Sequence, residues 1–326
     1  MKHLRTALLI GIVLISMVFI TLAYILFIPS FAEKRIVNIM PGDNAGVIGK
    51  KLSAESIIHS ETMFKMLAKL RSADRNMKPG SYVFGGRTNL WQTVSRLRNG
   101  KSETIVITFP EGMSLYKTLM KIDRSGLMPY DSLVAAATDS ALVRKLTGFK
   151  YPSLEGFLYP ETYSFPIAMS ADSILALQTE QFFKRMKSAA IYPKETPDFY
   201  TKLILASIVE KEAGPAGERE IIAGVFLNRL SIGMRLQSCP TVDYILEPKG
   251  IKREVLSYRE TQIRSPYNTY MNGGLPPTPI ANPSVESIKA VLQPAHHSYL
   301  YFFADRKGNN IFSRSYEEHL QKQKRQ

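Results

Sequence analysis

The sequence predicts an α+β chain with a single N-terminal transmembrane helix, a small α+β unit and a larger mixed α/β domain. Three observations carry that expectation. Ala7 to Phe31, ALLIGIVLISMVFITLAYILFIPSF, is an uncharged apolar run, longer than the roughly 20 residues a helix needs to cross a bilayer core. From Ile36 to Ile105, strand-like and helix-like patterns alternate around Gly and Pro-Gly turns. The chain has 326 residues, 45% of them hydrophobic, enough to bury a second core beyond that unit.

At the N-terminus, Lys2 and Arg5 precede the apolar run and Glu33, Lys34 and Arg35 follow it, a mild positive-inside signal. FIPSFAEK offers only a weak Ser-x-Ala cleavage site, and signal-peptide apolar regions are shorter. Residues 1–31 therefore read as a cytoplasmic stub and single-pass anchor in the cell membrane. With no second apolar span, the rest of the chain is expected outside the cytoplasm.

Residues 36–105 read as strand, turn, helix and helix, with Phe64, Leu67 and Leu70 at helical spacing. KPGSYVF adds a turn and strand, and NLWQTVSRLRNG a helix ending at Gly100. The early glycines are turn glycines: Asn44 stands where a Walker motif needs Gly. Residues 106–195 are expected to form a connecting α/β segment. It opens on a strand, continues in amphipathic helices to about Lys150, and passes through a Pro-interrupted aromatic loop, Tyr151 to Phe165, to a helix over Ser170–Ala190. In that loop Glu155 and Glu161 suit turn and surface roles. Residues 196–320 form the third segment and 321–326 a solvated polar tail.

The stretch LILASIVEKEAGPAGERE holds four acids in a chain of formal charge +14. On a helical wheel Glu212 extends the side of Leu205 and Ile208, whereas Glu210 points away, above Leu203 and Ser207. Gly214 and Pro215 are stop signals, so Glu212 falls in the last helical turn. The helix dipole and apolar neighbours both disfavour a carboxylate there and raise its pKa, as a general acid near neutral pH requires. Spacing alone favours the plainer role, in which Glu212 snorkels or pairs with a base such as Arg219 or Arg229. Downstream, REIIAGVFLNRLSIGMRLQ reads as a helix and turn. RSPYNTYMNGGLPPTPIANPS has the amide, hydroxyl and aromatic groups of a sugar-binding loop, and HSYLYFFADRKGNNIFS reads as a hairpin turning around Lys307–Asn310.

Charge implies an acidic partner without choosing one. Nucleic acid is disfavoured because the basic residues are dispersed and the anchor places the chain outside the cytoplasm. The lone Cys239 excludes an intramolecular disulfide. His296 and His297 are adjacent rather than at i, i+4, and no HExxH, GxSxG or clustered CxxC occurs.

LASIVEKEA, AGVFLNRLSIGMRLQSCPTVDY, SPYNTY, GLPPTPIANPS and YLYFFAD, together with LEGFLYPETY, FPEGMSL and KPGSYVF, resemble the membrane-bound endolytic murein transglycosylases, the YceG-like group. The likeness covers essentially the whole chain. One departure is Cys239, where that family usually has Asp. The resemblance implies a LysM-like unit over 36–105 and a catalytic domain over 196–320 with some likeness to lysozyme-type transglycosylases. It implies cleavage of the β-1,4 bond between N-acetylmuramic acid and N-acetylglucosamine within glycan strands. The second Glu of Glu-Lys-Glu, Glu212, would be the catalytic acid. Gln237, Asn268, Thr269 and Tyr270 are candidate sugar contacts, with no metal or cofactor called for. Peptidoglycan strands are the expected partner, with peptidoglycan synthases as possible associates. The rival reading is a non-catalytic, membrane-anchored wall-binding protein in which Glu212 is structural.

Overall fold

The computed structural model describes the chain except residues 1–9, 11, 15, 18–19, 22–23, 25–26, 28, 41, 101–102, 168, 215–216, 252–255, 307 and 326. It divides into two compact units, Met1–Ile105 with Ser164–Ala168, and Val106–Tyr163 with Met169–Gln326.

Within the apolar run, the described residues from Ile10 to Phe27 are helical, and their side chains are exposed. No helix among the described residues is long and apolar enough to cross a membrane. The anchor expected to run to Phe31 is shortened at its outer end, because Ser30 and Phe31 pair with Thr88 and Arg87 as the start of a strand, and Pro29 is not helical. Residues 7–9, 11, 15, 18–19, 22–23, 25–26 and 28 of the run lie outside the description.

The first unit continues through β1 (Ser30–Ile39), α1 (Ala45–Ala54), α2 (Glu61–Leu70), β2 (Gly80–Thr88) and α3 (Leu90–Asn99). β1 and β2 pair antiparallel from Ser30↔Thr88 to Ile39↔Gly80, so the strand expected from Ile36 begins six residues earlier. Asn44, Ser60 and Asn89 start the three helices by accepting backbone N–H bonds, which satisfies donors the helix cannot. α3 ends where Gly100 takes φ 71°. Val37, Ile48, Leu52, Phe64, Tyr82 and Leu97 form the core. Leu70 is not part of it: its exposure is 80%. Two steps of three residues rotate it about 120° off the Phe64 direction, away from the face that Phe64, Leu67 and Ala68 bury.

The unit boundaries fall within β3 (Thr104–Thr108) and β4 (Thr162–Pro166), which pair as a second two-stranded sheet. The second unit is dominated by helices: α4 (Leu115–Arg124), α5 (Tyr130–Ala137), α6 (Ser140–Thr147), α7 (Ala171–Ser188), α8 (Phe199–Glu212), α9 (Arg219–Ser231), α10 (Cys239–Leu246), α11 (Tyr258–Thr261), α12 (Val285–Leu292) and α13 (Tyr316–Lys324). β5 (Tyr301–Ala304) and β6 (Asn310–Ser313) form the expected antiparallel hairpin. Lys307, in its expected turn, lies outside the description, as does Pro215.

Residues 106–195 do not stand apart as a connector. Phe157, Phe182 and Met186 share one core with Leu203, Ile208, Phe226 and Ile288. The polar tail is likewise no loose end, since α13 runs through residue 324 from a Ser315 cap, although it buries no residue. At the centre lies α8, buried at Phe199 and at every position from Leu203 to Val209. A helix apolar all round is a core helix, so its sides all meet protein.

Candidate active site

α8 delivers two carboxyls to its last turn, and the fold sends them to different places. Glu210 points away from the Glu212 side, as the wheel predicts, and there it meets protein, because the far side of a central helix is also packed. Its side chain is 5% exposed and faces Arg219 at 3.6 Å. Oε2 accepts from Ser284 N at 2.9 Å, Ser284 Oγ at 2.5 Å and Ser287 Oγ at 2.7 Å. Ser284 is the N-cap of α12, so Glu210 holds that helix start in place. The base that spacing offered to Glu212, Arg219, pairs with Glu210 instead.

Glu212 closes α8 and turns toward the start of α10. Its Oε1 accepts from Ser238 Oγ at 2.7 Å. Ser238 occupies the N-cap of α10 yet makes no side-chain capping bond; its hydroxyl is directed at the carboxyl instead. Just before it, Gln237 is held at φ 50°, a conformation that costs a non-glycine residue free energy and tends to persist where surrounding structure imposes it. Here the surroundings are plain. Ser238 N donates to Thr269 Oγ1 at 3.0 Å, and Gln237 N to Thr269 O at 3.2 Å. Thr241 Oγ1 lies 2.9 Å from Thr269 Oγ1 and donates to Ser238 O at 2.6 Å. The Gln237–Ser238 turn is thereby stitched to the loop before α12.

Burial pushes the Glu212 carboxyl above its usual range, and nearby Asp243 adds to the rise. The Ser238 hydrogen bond and Arg229 oppose it. Arg229 is buried and donates to Leu300 O at 2.6 Å and Leu236 O at 2.5 Å. It therefore supports the segment that carries Ser238 while placing a positive charge near the acid.

The four candidate sugar contacts separate. Gln237 is exposed and Tyr270 half-buried, its hydroxyl 3.0 Å from the exposed Cys239 Sγ. Asn268 and Thr269 are buried. Asn268 Nδ2 donates to Thr261 O and Ile263 O, and its Oδ1 accepts from Tyr270 N. These two side chains brace the loop from inside, which corrects their assignment to the sugar. The amide and hydroxyl content that suggested binding is used instead to fold an irregular segment, as buried polar groups require.

A second polar cluster, missed in the sequence, joins three distant segments. Asn282 Oδ1 accepts from Gly156 N and Leu158 N at 3.0 Å each. Its Nδ2 donates to Met113 O at 2.9 Å. Beside it Glu155, expected at the surface, is buried. Its Oε1 accepts from Leu115 N at 2.8 Å and its Oε2 from Tyr244 Oη at 2.9 Å. Burial pushes its pKa up to about 8, against the opposing pull of the Leu115 and Tyr244 hydrogen bonds. Glu161, in contrast, takes the expected surface role, paired with Arg185 at 2.6 Å. Ser238 and α10 had one legible signal: Ser-Cys-Pro places a capping residue just before Pro in a first helical turn. Glu155 and Asn282 had none, because their partners lie far away in sequence.

The chain is similar to known proteins along most of its length. The YceG-like family model matches residues 37–325. A Bacillus subtilis (strain 168) relative described as an endolytic murein transglycosylase is 31% identical over 302 residues, covering 87% of this chain and 82% of its own. A Streptococcus pneumoniae serotype 2 protein with the same description is 27% identical over 316 residues; this chain spans 56% of its length. The crystal structure of a yceG-like protein from Listeria monocytogenes superposes with TM-score 0.59 at 31% identity, covering 89% of this chain and 99% of that one.

Proposed function

Because this chain belongs to the YceG-like family, we propose that it is an endolytic murein transglycosylase, a lyase that cuts peptidoglycan glycan strands internally. The bond cleaved is the β-1,4 link from N-acetylmuramic acid to N-acetylglucosamine. The observation that carries the reading is Glu212 itself: a desolvated carboxyl at a helix C-terminus, oriented by one hydroxyl and set beside a strained turn.

Ordinary glycosidases need two carboxylates, one to protonate the leaving oxygen and one to act as nucleophile or to activate water. A lytic transglycosylase uses the sugar's own 6-hydroxyl as nucleophile, so a single acid–base residue suffices. Glu212 donates its proton to the glycosidic oxygen, and the C1–O bond breaks. The muramic 6-hydroxyl attacks C1 and returns its proton to Glu212, leaving a 1,6-anhydro end with no water consumed. A raised pKa keeps the first proton available near neutral pH. Ser238 fixes the carboxyl's direction, while Gln237 and Tyr270 face the sugar.

The apolar run Ala7–Phe31 anchors the chain in the cell membrane, with the catalytic unit outside the cytoplasm, where nascent strands are within reach. Its length, its lack of charge and the exposed helical side chains between Ile10 and Phe27 support this reading. Cutting strands during synthesis would end their elongation, which makes peptidoglycan synthases the natural associates. The decisive experiment is mass analysis of products from purified glycan strands. Internal 1,6-anhydro ends that disappear in Glu212→Gln are the expected result. Intact strands, or reducing ends from hydrolysis, would refute the reading.

A further inference from the structure

The first unit carries an apolar, basic corner that the catalytic reading leaves unused. On α2, Met66 and Leu70 stand one turn apart on the outward face, 56% and 80% exposed, flanked by exposed Lys65 and Lys69. The next residue, Arg71, reaches across to α3. Its guanidinium lies 4.0 Å over the Trp91 ring, and its Nη1 donates to Ser95 Oγ at 2.5 Å. Trp91 is 39% exposed, and its ring centroid lies 6.2 Å from that of Phe27.

That last contact sets the depth. Phe27 is the last described helical residue of the apolar run, and Ser30 already begins β1, so Phe27 stands at the run's outer end. The polar zone on each side of a bilayer core is about 5–8 Å thick. A tryptophan touching Phe27 therefore lies at the level where Trp and Tyr are enriched in membrane proteins. Leu70 and Met66 supply apolar groups for the acyl boundary, and Lys65, Lys69 and Arg71 meet anionic headgroups, with long stems able to lie along the surface. A glycan strand fits less well. Sugar stacking needs a free ring face, and Arg71 already covers one face of Trp91, while Met66 and Leu70 offer nothing to sugar hydroxyls.

We propose that this α2–α3 corner docks on the anionic bilayer surface beside the anchor, tying the first unit to the membrane plane. The inference rests on the anchor reading above, and its test keeps the two apart. Trp91 is the only tryptophan in the chain, so its fluorescence reports this corner alone. The full chain would be reconstituted into vesicles of phosphatidylcholine with a minority of phosphatidylglycerol, then followed by flotation and by quenching with brominated lipids.

The expected result is co-flotation with the vesicles, with Trp91 emission quenched more by bromines high on the acyl chain than by deep ones. In the double variant Met66→Glu and Leu70→Glu, both at exposed positions, flotation should persist while most of the quenching is lost. Failure to float overturns the anchor and the docking together. Flotation with unquenched, iodide-accessible Trp91 overturns the docking alone. Quenching unchanged in the double variant would mean that Phe27 merely tethers the ring, which also overturns it. A Trp91 response to soluble glycan strands but not to lipid would assign the corner to the wall polymer instead.

Discussion

Ser238 makes its one side-chain bond to Glu212 rather than to its own helix, and this has a kinetic signature. Its hydrogen bond favours the charged carboxylate, so removing it favours the protonated form. Ser238→Ala should shift the descending alkaline limb of the pH–rate profile upward, with the rate reduced by looser orientation; an unshifted limb would show that the hydroxyl does not tune the acid. Glu212→Gln removes the proton itself, and activity should fall by about 10²–10⁴-fold with folding intact. Glu210→Gln belongs to another class. It weakens a carboxylate that accepts three hydrogen bonds and faces Arg219, which predicts a loss of about 1–3 kcal/mol in stability with activity retained below the lowered Tm. Two acids two residues apart thus divide into chemistry and architecture. The wheel separated them correctly by direction. It could not see that Glu210 points into protein, because a wheel carries no information about what surrounds the helix.

At the scale of elements, close approach between segments is bounded by glycine. A Cβ on Gly224, inside α9, would stand 2.6 Å from both Ala295 O and His297 Nε2. That histidine is itself fixed: Nε2 donates to Ile221 O at 2.9 Å while Nδ1 accepts from Tyr299 N at 3.1 Å. Gly224→Ala should therefore destabilise by about 1–3 kcal/mol, read as a lower denaturant midpoint without a change in slope. The elements themselves were largely legible. Helical spacing marked α2, Gly100 the end of α3, the turn around Lys307–Asn310 the hairpin, and Gly214 helped to mark the end of α8. The helices α10 and α12 went unread because both are short, and a helix of two turns shows too little periodicity to stand out. The loop between them has the composition of a binding surface. Asn268 and Thr269 show why that reading is half wrong: polar residues in irregular segments are needed first to satisfy the backbone.

At the scale of the whole molecule, pH acts through Glu155. An acid with a raised folded-state pKa binds its proton more tightly when folded. Its stabilising contribution is thus complete below the ordinary value of 4.5 and is lost as pH rises through about 8. Stability should decline by a few kcal/mol over that window, and Glu155→Gln should flatten the decline, as followed by Tm against pH. The anchor admits a separate test. Because β1 begins at Ser30, deleting residues 1–29 keeps the strand whole. The truncated chain should be soluble and still cut isolated strands, and an inert but folded product would mean that the span contributes more than location.

Asn282 gives the catalytic unit an order in time as well as in space. It binds Met113, Gly156 and Leu158, so its partners leave the ribosome well over a hundred residues ahead of it. The acid waits similarly on Arg229, whose acceptor at Leu300 is later still. Contacts of such long sequence separation form slowly and late. A growing chain therefore carries Glu212 for some time before the frame that aims it exists. A chain that stops before Leu300 lacks the acceptor for Arg229, and such a truncation should leave Glu212 without its full support.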